Sequence, residues 1–189
     1  MNRLLTALTL FLLIAFPVQG NPAADSANKP VHVQEVLPIV PDTLRELFTS
    51  SDDVLEVEIL SSDVRAVGRP SNPYVRMFYT AKVVRIRKGS SPAQVVFTQS
   101  AGELEFPDYI LRASGEPLKS GERYVVFLRR NEAFGGRMLV GERNGVFKIV
   151  RGRIEPQGFG KIAEEQRSVS ERSFGAELDR FSPRSIQQQ

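Results

Sequence analysis

The sequence predicts a mainly β domain closed into a small barrel, with a short helix before it and another helix after it. Three observations carry that prediction. Short runs of β-branched and aromatic residues recur from residue 54 to residue 150 with glycine, proline and charged breaks between them. One of these runs is long and breaks its own alternation at a Val-Val pair. The chain of 189 residues also has no cysteine, so a fold outside the cytoplasm rests on apolar burial alone.

The first twenty residues set the expected compartment. Arg3 supplies a positive start, residues 4–16 form an apolar run, and Pro17 breaks it, which is the pattern of a signal peptide cut after Gly20. That run is shorter than the roughly 20 apolar residues a spanning helix needs, so the expectation is export to a periplasm or beyond, with no transmembrane segment in the mature chain. A lipid anchor is not expected without a cysteine to carry it. From Asn21 the chain has 169 residues with 24 basic and 22 acidic side chains, a net charge of +2. So small a surplus does not by itself argue for a polyanionic partner.

Residues 21–41 carry Pro22, Pro30, Pro38 and Pro41 among small polar residues and read as an extended linker. Asp42 or Thr43 can cap a short helix through Leu44, Leu47 and Phe48, ended by residues 50–53. Residues 54–60 alternate, with Val57 and Ile59 to one side and Glu56 and Glu58 to the other, so the glutamates are expected in solvent. Gly68, Pro70, Asn72 and Pro73 make a turn. A long strand over 74–87 then places Met77, Tyr79, Ala81 and Val83 on one face. The Val83-Val84 pair throws Ile86 out of phase, which predicts a β-bulge and a sharp bend.

After the Lys88-Gly89-Ser90 turn, residues 95–99 form a short strand, and residues 100–121 read as an irregular loop. Leu104, Phe106, Tyr109, Ile110 and Leu111 are expected to pin that loop as a lid over one barrel end. Strands at 124–128, 138–140 and 146–150, with hairpins around 129–134 and 142–145, complete a barrel domain spanning 42–155. Residues 156–189 form a polar tail in which Ser173 caps a helix bearing Phe174, Leu178 and Phe181. Core packing is its expected use, and "SIQQQ" at the end is expected to be disordered.

The run "VVRIRKGS", then "VVFTQSAGE", "LKSGERYVVFLRR" and "LVGERNGVFKIV" resembles a family of largely uncharacterised exported bacterial domains. Its punctuation falls at Lys88-Gly89, Val95 to Gly102, Gly121 to Leu128 and Gly141 to Phe147, and the likeness covers residues 44–150. Such domains resemble the OB-like barrel of the netrin and tissue-inhibitor-of-metalloproteinases superfamily. The resemblance implies a closed OB-like barrel of five to six strands with flanking helices. The inhibitors of that superfamily chelate a protease zinc through an N-terminal cysteine on a disulfide scaffold. This chain has neither, which disfavours that route and leaves inhibition by an inserted loop open.

Catalysis is not expected. The single histidine, His32, lies in the linker, where it is poorly placed to serve as the base of a nucleophilic site. One histidine and no cysteine cannot build a zinc cluster. Glu103, Glu105 and Asp108 lack calcium-loop spacing and read as a solvated loop. No catalytic residue, metal or cofactor is therefore expected. The sharpest charge asymmetry is a stretch from Arg65 to Lys88 with seven basic residues and no acidic one. Within it Arg76, Lys82, Arg85, Arg87 and Lys88 form a candidate anionic-ligand site on the outward side of the long strand, a region that OB-like barrels use for oligonucleotides and oligosaccharides. The alternative is an ordinary solvated face balanced by Glu56 and Glu58. Outside the cytoplasm nucleic acid is not expected. The expectation for the whole chain is an exported, non-catalytic binding or adaptor module with a protein or anionic-glycan partner, the alternatives being an inhibitor of an extracellular hydrolase or an anionic-glycan binder.

Overall fold

The structure is a computed structural model that describes residues 29–34, 41–131 and 136–182. The expected signal segment, most of the linker, residues 132–134 of one hairpin and the "SIQQQ" terminus lie outside those residues. The described chain is mainly β, with ten strands and three α-helices where five to six strands and two helices were expected. No helix among the described residues is long and apolar enough to cross a membrane.

The first elements follow the sequence closely. Helix α1 (Leu44–Thr49) starts where the Thr43 hydroxyl accepts the Glu46 N–H at 3.1 Å, while the Glu46 carboxylate accepts the Asp42 N–H at 2.9 Å. Leu44, Leu47 and Phe48 are buried as their spacing predicts. Two 17-residue strands, β2 (Asp53–Arg69) and β3 (Asn72–Lys88), then pair as one long antiparallel hairpin. Their register skips Val84, because Glu56 faces Arg85 and Val57 faces Val83. The expected bulge is therefore present. A second skip passes Arg87, and a third passes Leu60 on β2.

Strand β4 (Gln94–Gln99) pairs with β3, and β7 (Arg123–Asn131) pairs with β2 on its other side. Strand β8 (Gly136–Leu139) lies antiparallel to β7 and parallel to β4, with Phe97 opposite Arg137. Strands β9 (Val146–Val150) and β10 (Arg153–Pro156) extend the sheet beyond β7, giving the order β10-β9-β7-β2-β3-β4-β8. The 142–145 segment, expected as a hairpin turn, is a short 3-10 turn leading into β9.

The stretch read as an irregular loop is largely strand. Residues Ala101–Glu105 (β5) and Ile110–Ser114 (β6) form a hairpin, and the linker segment Val31–Gln34 (β1) adds to it in parallel. His32 is thus held in a strand, its ring edge-on to Tyr109 at 5.5 Å. Glycines and a proline masked this pairing in the sequence. Gly102 is needed there: its φ is +93°, and a Cβ would stand 2.9 Å from Val64. Leu104, Phe106, Tyr109 and Leu111 pack with Val64 and Val75 near the hairpin end of β2 and β3, where they form a small core of their own.

Two larger cores lie on opposite faces of the seven-stranded sheet. One holds Leu55, Val57, Ile59, Tyr79, Phe97 and Leu128 with their neighbours. Tyr79 and Tyr124 stitch residues 115–122 over it. The Tyr79 hydroxyl donates to Gln99 Oε1 and accepts the Leu118 N–H, both at 2.9 Å, and the Tyr124 hydroxyl accepts the Lys119 N–H at 3.2 Å while donating to Glu122 at 2.6 Å. Leu118 is buried in this core, so this segment takes the place expected of the residues at 104–111. The other core places α1, α2 (Lys161–Gln166) and α3 (Glu171–Phe181) against Val54, Val125, Phe127, Phe147 and Ile154. Ser170, and not Ser173, caps α3, accepting the Ser173 N–H at 3.1 Å. Each large apolar side chain buried here contributes about 1.5–3 kcal/mol, so the residues after 156 belong to the folded body.

Candidate groove beside β3 and α3

The candidate site starts from the basic side chains of β3, which the fold divides into two sets. Arg76 was expected outward and is buried instead. Its Nε donates to Thr98 Oγ1 at 3.2 Å and its Nη2 to Glu142 at 2.9 Å, and Glu142 accepts the Ser100 N–H with its other oxygen. The 3-10 turn brings that carboxylate over the outward face. Lys88 is also committed: its ammonium donates to the carbonyls of Phe48, Thr49 and Ser51 at 2.7, 3.2 and 2.7 Å. It satisfies the C-terminal carbonyls of α1, where a cation also complements the helix dipole.

Arg87 serves the fold in a third way. Its Nη2 and Nε reach one oxygen of Glu56 at 2.6 and 2.9 Å, and its Nη1 reaches both oxygens of Asp179 on α3 at 3.1 Å. The Glu56 side chain is only 4% exposed, which corrects the expectation that it faces water. Burial opposes the Arg87 charge, but the hydrogen bond and attraction of Glu56, with Asp179 adding to them, outweigh it and hold its pKa above the ordinary value. Arg123 approaches Glu56 at 3.6 Å and Glu171 at 3.0 Å, completing a network that ties β2, β3 and β7 to α3.

Lys82 and Arg85 form the other set. Both are exposed, and neither side chain makes a hydrogen bond or ion pair with any described residue. Arg85 lines an open groove of about 510 Å³ between β3 and α3, together with Arg87, Gly152, Ser170, Glu171, Arg172, Ala176 and Asp179. Lys82 stands apart from it. The structure thus brings Arg85 and Arg87 of the candidate set together with α3, and disperses Arg76, Lys82 and Lys88.

Sequence reasoning missed Arg172. It is exposed and, like Arg85, has no partner among the described residues. It also sits in the first turn of α3, where the helix dipole disfavours a cation by about 0.3–1 kcal/mol. A cation directly after a Ser-Glu start was the available signal, and misplacing the cap at Ser173 removed it from the helix.

The other candidates are used locally. Glu105 accepts from Lys29 at 2.6 Å, and Glu103 pairs with Arg112 across the β5–β6 hairpin. Among the described residues no three His, Asp or Glu side chains are grouped so as to hold a metal ion. His32 lines another, smaller depression of about 310 Å³ with Val33, Asn72, Pro73, Tyr74 and Leu111. Compared with known proteins, the chain matches no protein-family model and no curated protein.

Proposed function

We propose that the protein is an exported, non-catalytic binding module. In this reading the sheet is a closed OB-like barrel of the netrin type that presents the groove between β3 and α3 to a partner. The cycle of pairings from β2 through β3, β4, β8 and β7 back to β2 supports the barrel, with its one parallel step between β4 and β8. The interior is filled by side chains such as Tyr79, Phe97 and Leu55, all fully buried, so a ligand is taken on the outside.

The observation that carries the proposal is the contrast within the groove. Arg87, Glu56 and Arg123 are bound to one another and to α3, whereas Arg85 and Arg172 open into the same groove unpaired among the described residues. The test is capture from native envelope and secreted fractions with the chain from Asn21 as bait, set beside Ala176→Trp. Ala176 is exposed on the groove wall, so an indole there fills the groove with little effect on the core. The expected outcome is a saturable partner retained by the native chain and lost from the variant. Capture that is identical with the groove filled overturns the groove as the binding surface.

A further inference from the structure

The charges around the groove define what it accepts. The network that ties β2, β3 and β7 to α3 contains three carboxylates, Glu56, Glu171 and Asp179, and two guanidiniums, Arg87 and Arg123, so it carries one surplus negative charge. Arg85 and Arg172 add two positive charges on the groove wall. The whole site is therefore only one charge positive. It holds two cations that lack a partner beside a carboxylate, Asp179, whose side chain is 60% exposed.

Resting on the reading of this groove as the binding surface, we propose that its ligand is a protein segment carrying two separated carboxylates, one bound by Arg85 and one by Arg172. Guanidinium and carboxylate match as paired N–H donors and oxygen acceptors. Arg172 is the stronger sign: a cation in the first turn of a helix breaks a local rule with no compensating contact among the described residues, and such breaks mark functional positions. Asp179 and Glu171 supply the discrimination. A glycan with an anion on every repeat brings like charge against Asp179, whereas a peptide can place a neutral or basic residue there. The groove thus favours sparse carboxylates over a dense polyanion.

An array of short Gly/Ser peptides, each with two glutamates at graded separation, tests this by calorimetry against the chain from Asn21, with an alginate oligosaccharide as the competing polyanion. Expected are binding with an optimum of glutamate spacing and a loss of at least about tenfold in Arg85→Ala and in Arg172→Ala. Lys82→Ala, exposed and outside the groove, leaves binding unchanged. Thermal midpoints of Arg85→Ala and Lys82→Ala stay at the native value, because neither side chain has a partner among the described residues, and that of Arg172→Ala is at or slightly above it, because the first turn of α3 loses a disfavoured cation. Tighter binding of the oligosaccharide overturns the proposal, and so does an equal loss in Lys82→Ala, which would reveal general charge attraction. If no peptide binds while Ala176→Trp still abolishes capture of a native partner, the ligand class fails and the groove reading survives. If Ala176→Trp leaves capture intact, the groove reading itself fails.

Discussion

Arg87 holds two acidic side chains from distant parts of the chain, Glu56 of β2 at 2.6 Å and Asp179 of α3 at 3.1 Å. Removing it strands Glu56, which is buried and among the described residues keeps only Arg123 at 3.6 Å as an ion-pair partner. A carboxylate left in that state costs more than the lost contacts, so Arg87→Ala is expected to lower stability by about 3 kcal/mol. The check is the urea midpoint at an unchanged m-value. The paired replacement Arg87→Met with Glu56→Gln removes both charges together and is expected to recover most of that loss. If Arg87→Ala costs as little as a surface substitution, Arg87 is free for a ligand and the division between structural and unpaired arginines is wrong.

Among the elements, α3 is the one whose docking decides whether the groove exists. Phe174 and Leu178 sit in the core between the helices and the sheet, with Phe174 tilted against Phe147 at a ring separation of 5.0 Å, and Gly175 lets the helix approach so closely that a Cβ there would lie 2.5 Å from Arg87 Nη2. Phe174→Ala is expected to cost about 3–5 kcal/mol and to raise hydrogen exchange of the α3 amides to that of an exposed helix. Unchanged protection would show that α3 does not depend on this packing. The stripe of Phe174, Leu178 and Phe181 was legible in the sequence because helical spacing is a local signal. So was the Val84 bulge, since alternation fails at one visible pair. The burial of Glu56, Arg76 and Arg87 was not legible. Alternation assigns a side of the sheet, but what covers that side comes from Glu142 and Asp179, far along the chain. The β5–β6 hairpin was missed for a different reason: its glycine serves close packing against Val64, and glycine read locally signals a loop.

For the molecule as a whole, the two tyrosines that stitch residues 115–122 over the core around Tyr79 and Phe97 make folding sensitive to alkali. Burial is the largest influence on Tyr79; the Leu118 hydrogen bond opposes it, Glu142 adds to it, and the phenol is pushed from 10.0 up to about 12. Tyr124 is raised as well, by burial and by its hydrogen bond to Glu122. The folded state therefore keeps protons that the unfolded chain gives up near pH 10. Stability is complete below that pH and is lost as pH rises toward the folded values, with Tyr79 alone responsible for about 2–3 kcal/mol by pH 12. Urea midpoints measured from pH 8 to pH 12 are expected to fall across that window, together with the tyrosinate absorbance change. Tyr79→Phe separates the two contributions of this side chain. It leaves the Leu118 N–H without its acceptor and so is expected to cost about 1–3 kcal/mol at neutral pH. Its alkaline slope should nevertheless be shallower than that of the native chain, because the raised Tyr79 phenol no longer contributes to it. A variant that loses stability at neutral pH but keeps the full alkaline slope would place the proton linkage elsewhere and leave Tyr79 with the hydrogen-bonding role alone.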